Sequence, residues 1–299
     1  MSTILVTGAT GKQGGSLIKN LLSKNAPFQI LAVTRNIQSP AAQKLLQQSP
    51  KIRLVQGDLD RPAEIFEQAR GLTKEPIWGV FSVQLAIGNG SSEEPQGKSL
   101  IDESIKHGVK HFIYSSVDRG GAKSSENPTQ IPHFIHKHNI EKHLLAKSPG
   151  KMGWTILRPV AFYENLTPDF FGKIFATSYN MVLKGAPLQM IAVSDIGAVA
   201  AEVFMNADAY KGRAISLAGD ELTYPQFKEI FEKRTGQTLP TTFRLLPTLF
   251  MALVKDMGYM FQWFHDDGFG VDIEEVKRIH PDVKDFETWL TTESEFVKK

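Results

Sequence analysis

Three glycines at intervals of three, Gly8, Gly11 and Gly14, lie between the apolar run Ile4-Leu5-Val6 and the helix-periodic stretch Ser16 to Leu22. A strand passing through such a turn into a helix is the setting in which a chain holds a dinucleotide pyrophosphate. Gly8 permits a tight exit from the strand, Gly11 lets backbone N–H groups approach the phosphates, and Gly14 lets the helix pack closely. The phosphates then rest on the helix N-terminus, where unpaired N–H groups and the helix dipole favour an anion. Lys12, inside the turn, either adds to that attraction or points into solvent. The next strand pattern, Phe28 to Asn36, ends in Thr34-Arg35-Asn36, where the adenosine ribose is met. A carboxylate there favours a free 2′-hydroxyl, whereas Arg35 offers a guanidinium that binds a 2′-phosphate bidentately, unless it is only a solvated surface arginine. This favours NADP(H) over NAD(H). Asp58, in Gly57-Asp58-Leu59 at the end of the third strand, either accepts from the adenine amino group or caps the next helix.

A second constellation is His133-Phe134-Ile135-His136-Lys137, which places His133 and Lys137 four apart on one helix and so on one face. An imidazole is a competent proton donor near neutral pH; at a helix start just after Pro132 it also needs no function. Tyr163 and Tyr114 are alternative donors, set against the common case of a buried tyrosine with a structural hydrogen bond. Ser115 and Ser116 end a strand, where they orient a substrate or cap the following loop. Of the histidines at 133, 136, 138 and 143, only His136 and His143 share a helical face, and no carboxylate set accompanies them, so no metal site is expected.

These residues need a scaffold, and the patterning supplies one. Strand-like runs at 4–6, 28–36, 52–58, 77–83, 110–116 and 154–159 alternate with helical stretches at 16–22, 41–48, 62–71, 97–107 and 133–147. Such alternation implies an α/β, Rossmann-type, doubly wound parallel sheet with right-handed crossovers. The polar stretch Asp118 to Pro132 reads as an active-site loop. Beyond it the alternation lapses: a short strand at 214–218 and helices at 224–235, 247–264 and 285–295 suggest a smaller α/β C-terminal lobe. The expected division is a nucleotide-binding domain over 1–157 and a substrate or partner lobe over 158–299, partly interleaved with the last sheet strands. The helix at 247–264 carries more apolar residues than one stripe needs, fitting core packing, a partner face or a homodimer face.

The bulk numbers narrow the function classes. A chain of 299 residues that is 41% hydrophobic buries a sizeable core. Its net charge of +2 gives no global reason for a direct nucleic-acid or membrane partner. Having no cysteine excludes disulfides and thiolate chemistry. With no signal-peptide pattern and Lys255 and Asp256 interrupting the most apolar stretch, the expected location is the cytoplasm, with the nucleus as an additional site.

On these residues the chain resembles the NmrA-like branch of the atypical short-chain dehydrogenases, over essentially its whole length. The resemblance rests on Thr7-Gly8-Ala9-Thr10-Gly11, Thr34-Arg35, Gly57-Asp58, His111 to Ser116, Lys137, the block Arg158-Pro159-Val160-Ala161-Phe162-Tyr163-Glu164-Asn165, and Asp195-Ile196-Gly197. The Arg158–Asn165 block is more specific than the glycine turn. What the resemblance implies is an NADP(H) pocket with phosphates on Gly8, Gly11 and Gly14, Arg35 on the ribose phosphate, Lys137 near the nicotinamide ribose, and Pro159 to Tyr163 beside the nicotinamide. Thr10, Gln13, Leu59 and Ser82 complete the residues assigned to the cofactor. Ordinary short-chain dehydrogenases carry Tyr-x-x-x-Lys, in which the lysine lowers the phenol's pKa; here His133 stands at the tyrosine position. Two functions follow by resemblance: an NADPH-dependent oxidoreductase acting on a small apolar substrate (quinone, activated alkene or imine) with Lys137, His133 and Tyr163 as its catalytic candidates, or a non-catalytic NADP(H) redox sensor read by a regulatory protein partner.

Overall fold

The computed structural model describes residues 2–86 and 92–297. Strands and helices alternate as β1 (Ser2–Val6), α1 (Lys12–Ser23), β2 (Phe28–Thr34), α2 (Pro40–Leu46), β3 (Ile52–Gln56), α3 (Pro62–Arg70), β4 (Ile77–Ser82), α4 (Glu93–Lys106), β5 (His111–Ser115), α5 (Pro132–Lys147) and β6 (Gly153–Pro159). There follow β7 (Ala161–Phe162), α6 (Phe170–Leu183), β8 (Leu188–Ile191), α7 (Val193–Met205), α8 (Ala207–Tyr210), β9 (Arg213–Leu217), β10 (Asp220–Leu222), α9 (Tyr224–Thr235), α10 (Leu245–Leu253), α11 (Lys255–Asp266), α12 (Ile273–Ile279) and α13 (Phe286–Thr292). By contact density these form two compact units. One holds the chain up to Ser116, His136–Arg158 and Ile196–Ile215; the other holds Val117–Ile135, Pro159–Asp195 and the chain from Ser216 onward.

The first unit is built on a sheet of order β3-β2-β1-β4-β5-β6-β9. The five pairings from β3 to β6 are parallel. The order 3-2-1-4-5-6 is that of the doubly wound nucleotide-binding sheet, whose ligand crevice lies beyond the carboxyl ends of β1 and β4. Central β5 is buried at all five positions, while edge strand β3 buries Ile52 and Val55 and exposes Arg53 and Gln56. Strands covered on both faces need apolar side chains throughout, which is why the central strands read as apolar runs rather than as alternation.

The second unit carries a small sheet, β10-β8-β7, with β7 parallel and β10 antiparallel to β8. Its core is aromatic: the rings of Phe227 and Phe286 stack at 4.2 Å, and Tyr163 lies 5.5 Å from Trp289. The stretch expected as an active-site loop is a tightly bonded knot. Arg119 is fully buried and donates to the carbonyls of Val117, Ser124 and Asn127. Asp118 receives the N–H groups of Gly120, Gly121 and Gly270 and the hydroxyl of Ser216. The single helix expected at 247–264 is two, broken at Val254, whose ψ of 81° is not helical. Phe261 and Phe264 enter the core, whereas Leu245, Leu249 and Leu253, one turn apart on α10, are 66%, 51% and 83% exposed. Core packing therefore explains α11 and only the Pro247 and Met251 side of α10.

Candidate functional site

The glycine turn lies at the carboxyl end of β1. Thr7 fixes its start: its N–H donates to Phe81 O, its hydroxyl approaches Val83 O, and Val83 N–H returns to the Thr7 hydroxyl at 2.9 Å. Gly8 then adopts φ +59°, and a Cβ there would lie 2.7 Å from Val83 Cγ1. A Cβ on Gly14 would come within 2.4 Å of Gly8 O, so α1 approaches the turn as closely as backbone allows. Gly11 is the N-cap and no side-chain cap hydrogen bond closes the start of α1. Thr10, Gly11 and Lys12 are exposed at this rim and Gln13 is half-buried. Lys12 has a partner within the protein.

Arg35 is exposed just past β2, and Thr34 and Asn36 beside it bring no carboxylate. Asp58 does not cap α3, whose N-cap is Arg61; its Oδ1 accepts from Asp60 N–H at 3.0 Å and holds the turn after β3. Leu59 is half-buried against the core, and Ser82 is buried at the end of β4, accepting from Gln84 Nε2 at 2.9 Å.

Beside the turn, Ser115 Oγ donates to Gln13 Oε1 at 2.5 Å, tying the end of β5 to the first turn of α1. Ser116 donates to Glu141 on α5. Glu141 also receives Arg158, Nη2 to Oε2 at 2.7 Å and Nε to Oε1 at 3.2 Å, in a pair 2% and 6% exposed. Arg158 and Ser116 thus serve a buried carboxylate that joins β5, α5 and β6. Lys137, one turn before Glu141, has its Nζ 2.8 Å from Glu93 Oε1 and 5.9 Å from the centroid of the Tyr114 ring. Glu93 is wholly buried, and neither of its oxygens has a well-aligned hydrogen bond among the described residues. The contact with Lys137 is therefore a charge contact rather than an aligned hydrogen bond.

The other predicted residues fall in the second unit. Pro159 is buried at the end of β6 and its carbonyl accepts from Asp118 N–H. Tyr163 is fully buried, with its hydroxyl donating to Lys284 O at 3.4 Å. Burial, reinforced by Asp220, Asp285 and Asp195, pushes its phenol well above the usual range. A phenol so held is a poor proton donor. His133 is 6% exposed, with Nδ1 3.1 Å from Asp256 Oδ1. Asp195 receives His280 Nε2 at 3.1 Å and both the N–H and Nζ of Lys284. Burial alone would raise its carboxyl, but these donors outweigh burial and hold it low. Among the described residues no three His, Cys, Asp or Glu side chains converge as a metal site, and no helix is long and apolar enough to cross a membrane.

The model of the NmrA-like family matches residues 1–295. The chain belongs to the NmrA-like family. It is 34% identical over 303 residues to an NmrA-like domain-containing oxidoreductase of Aspergillus flavus, covering 91% of this chain and 87% of that one. A Dictyostelium discoideum NmrA-like protein is 28% identical over 248 residues, 80% of each chain. Among solved structures, the negative transcriptional regulator NmrA in complex with NAD superposes with a TM-score of 0.73 at 18% identity, covering 96% of this chain and 94% of that one. The Citrobacter triphenylmethane reductase complexed with NADP(H) gives 0.75 at 16% identity, covering 95% and 98%. The NmrA-like chain has the Rossmann-like fold of these neighbours.

Three residues escaped the sequence reading: Glu93, Glu141 and Asp256, the carboxylates that hold Lys137, Arg158 and His133. Signals point to two of them, Glu141 and Asp256. His133, Lys137 and Glu141 recur every four residues on α5 and are all buried, so its inner face carries polar groups where a core helix carries apolar ones. Asp256 is one of the two charges that interrupt the apolar stretch from Leu245 to Phe264.

Proposed function

We propose that this NmrA-like protein is an NADPH-dependent oxidoreductase acting on a small apolar acceptor such as a quinone, an activated alkene or an imine. The observation that carries the reading is the turn from Thr7 to Gly14, where backbone fills the space a Cβ would need and no side chain caps α1, the form expected of a phosphate cradle. Arg35, exposed and without a neighbouring carboxylate in its tip, suits a 2′-phosphate. The oxidoreductase names among the relatives and the NADP(H) complexes among the neighbours support the same reading.

Bound NADPH supplies a hydride. The remaining work belongs to side chains. Gly8, Gly11 and Gly14, with Thr10, Lys12 and Gln13, hold the phosphates, while Asp58, Leu59 and Ser82 border the adenosine end. Lys137, kept in place by Glu93, binds a ribose hydroxyl, and Pro159 belongs to the nicotinamide end. His133, in the tyrosine position of Tyr-x-x-x-Lys, delivers the proton; the height of the Tyr163 pKa argues against Tyr163. Cytoplasmic location belongs to the same reading.

A second reading, an NADP(H)-occupied regulator without turnover, is favoured by the absent tyrosine and by the likeness to the regulator NmrA. Purified protein given NADPH and a panel of quinones, enones and imines decides between the two. Oxidation of NADPH that depends on acceptor and protein supports the reductase, and its absence across the panel removes it.

A further inference from the structure

His133 is the second residue of α5, so its backbone N–H is one of the donors that a helix N-terminus leaves without an intrahelical acceptor. Asp256 Oδ1 accepts it at 3.3 Å, and the same oxygen lies 3.1 Å from His133 Nδ1. Asp256 can reach because Val254 ends α10 and the chain restarts as α11 at Lys255, which puts Asp256 in the first turn of a helix. One carboxylate therefore sits at two helix N-termini, its own and that of α5, and each favours negative charge there. Capping accounts for the backbone contact. It does not require the second contact, to the ring.

That second contact has a chemical consequence. A carboxylate accepts and does not donate, so Nδ1 carries a proton and Nε2 becomes the nitrogen whose protonation changes. The ring is held further by Phe134, edge to face at 4.8 Å, in a side chain only 8% exposed. An aspartate that fixes the tautomer and orientation of a histidine, and offsets the charge when the imidazole is protonated, is the arrangement by which a histidine becomes a working acid or base.

We propose that His133 and Asp256 act as a pair, with Asp256 the positioning residue that makes His133 Nε2 the proton-transfer atom of the reductase. The inference rests on the reductase reading. In the step it assigns, the acceptor gains a hydride from NADPH and a proton from the imidazolium. The Nε2–H bond breaks, the neutral ring keeps its Nδ1 proton on Asp256, and water restores the Nε2 proton after turnover.

The test uses the full chain labelled with 15N-histidine, with His133→Gln identifying the His133 signals. Long-range 1H–15N spectra of the wild type give the neutral ring as the Nδ1–H tautomer. Asp256→Ala abolishes that preference, while Asp256→Asn, whose amide oxygen still accepts, retains it and guards against a merely unfolded variant. Asp256→Ala lowers kcat roughly 100-fold with KM unchanged, and adds no further loss in a His133→Ala background. A wild-type ring found as Nε2–H, or losses from the two substitutions that simply add, overturns the pair even where NADPH turnover is intact. A wild type that turns over no acceptor overturns the reductase reading itself, and with it the pair's catalytic role.

Discussion

The polar side chains of the first unit divide into exposed ones, such as Thr10, Lys12 and Arg35, and those holding other polar groups. Arg158 illustrates the second kind. It opens the most specific motif in the sequence, yet its guanidinium is spent on Glu141, which also takes Ser116. Breaking such a pair leaves a buried charge uncompensated, so Arg158→Ala should cost about 3–5 kcal/mol of stability by denaturant unfolding. Replacing both members by apolar residues of similar volume should cost much less. His111 gives a pH dependence. Thr155 commits its hydroxyl to Tyr210 O, so His111 donates to Thr155 through Nε2. Burial, reinforced by Lys211, lowers the imidazole from 6.5 to about 4. The folded value lies below the unfolded one, so its contribution is complete above pH 6.5 and is lost as pH falls towards 4, where only the unfolded chain takes up the proton. The loss amounts to about 3 kcal/mol, and urea midpoints that fall across this window in the wild type but flatten in His111→Gln would show it.

Helices and strands were legible where one physical rule governed them. The central strands of the large sheet are buried on both faces and read as apolar runs, and Thr223 with Gln226 marks the start of α9 by a capping box. The strands of the second unit were not legible, because β7, β8 and β10 have two, four and three residues, too few to show a period. The break between α10 and α11 falls beside Lys255 and Asp256, the two charges that interrupt the apolar stretch, but charged residues do not by themselves end a helix, so the pattern reads as one helix. The two helices should respond differently to substitution. Leu253→Ser on α10 lies on an exposed face and should change stability by no more than about 0.5 kcal/mol. Phe261→Ala on α11 opens the aromatic core and should cost about 3–5 kcal/mol. Thermal melts of the two variants side by side test this; equal losses would mean that α10 is covered.

At the scale of the whole molecule, the parallel, doubly wound character of the large sheet followed from the alternation of patterns, and the glycine turn and Arg35 fall at the carboxyl ends of β1 and β2, where such a sheet binds its ligand. The carboxylates behind the candidate site were not foreseeable in the same way. Glu93, Glu141 and Asp256 come from distant points in the sequence, and only the folded chain sets them against Lys137, Arg158 and His133. The central claim is that this chain holds NADP(H) by its phosphates, the 2′-phosphate included. Calorimetric titration of the wild type and of Arg35→Ala with NADPH and NADH tests it most directly. The account predicts NADPH bound roughly 10- to 100-fold tighter than NADH, the yield of one charge-assisted contact, and a preference that disappears in Arg35→Ala. Equal or tighter binding of NADH by the wild type, or an unchanged NADPH affinity in the variant, would contradict it.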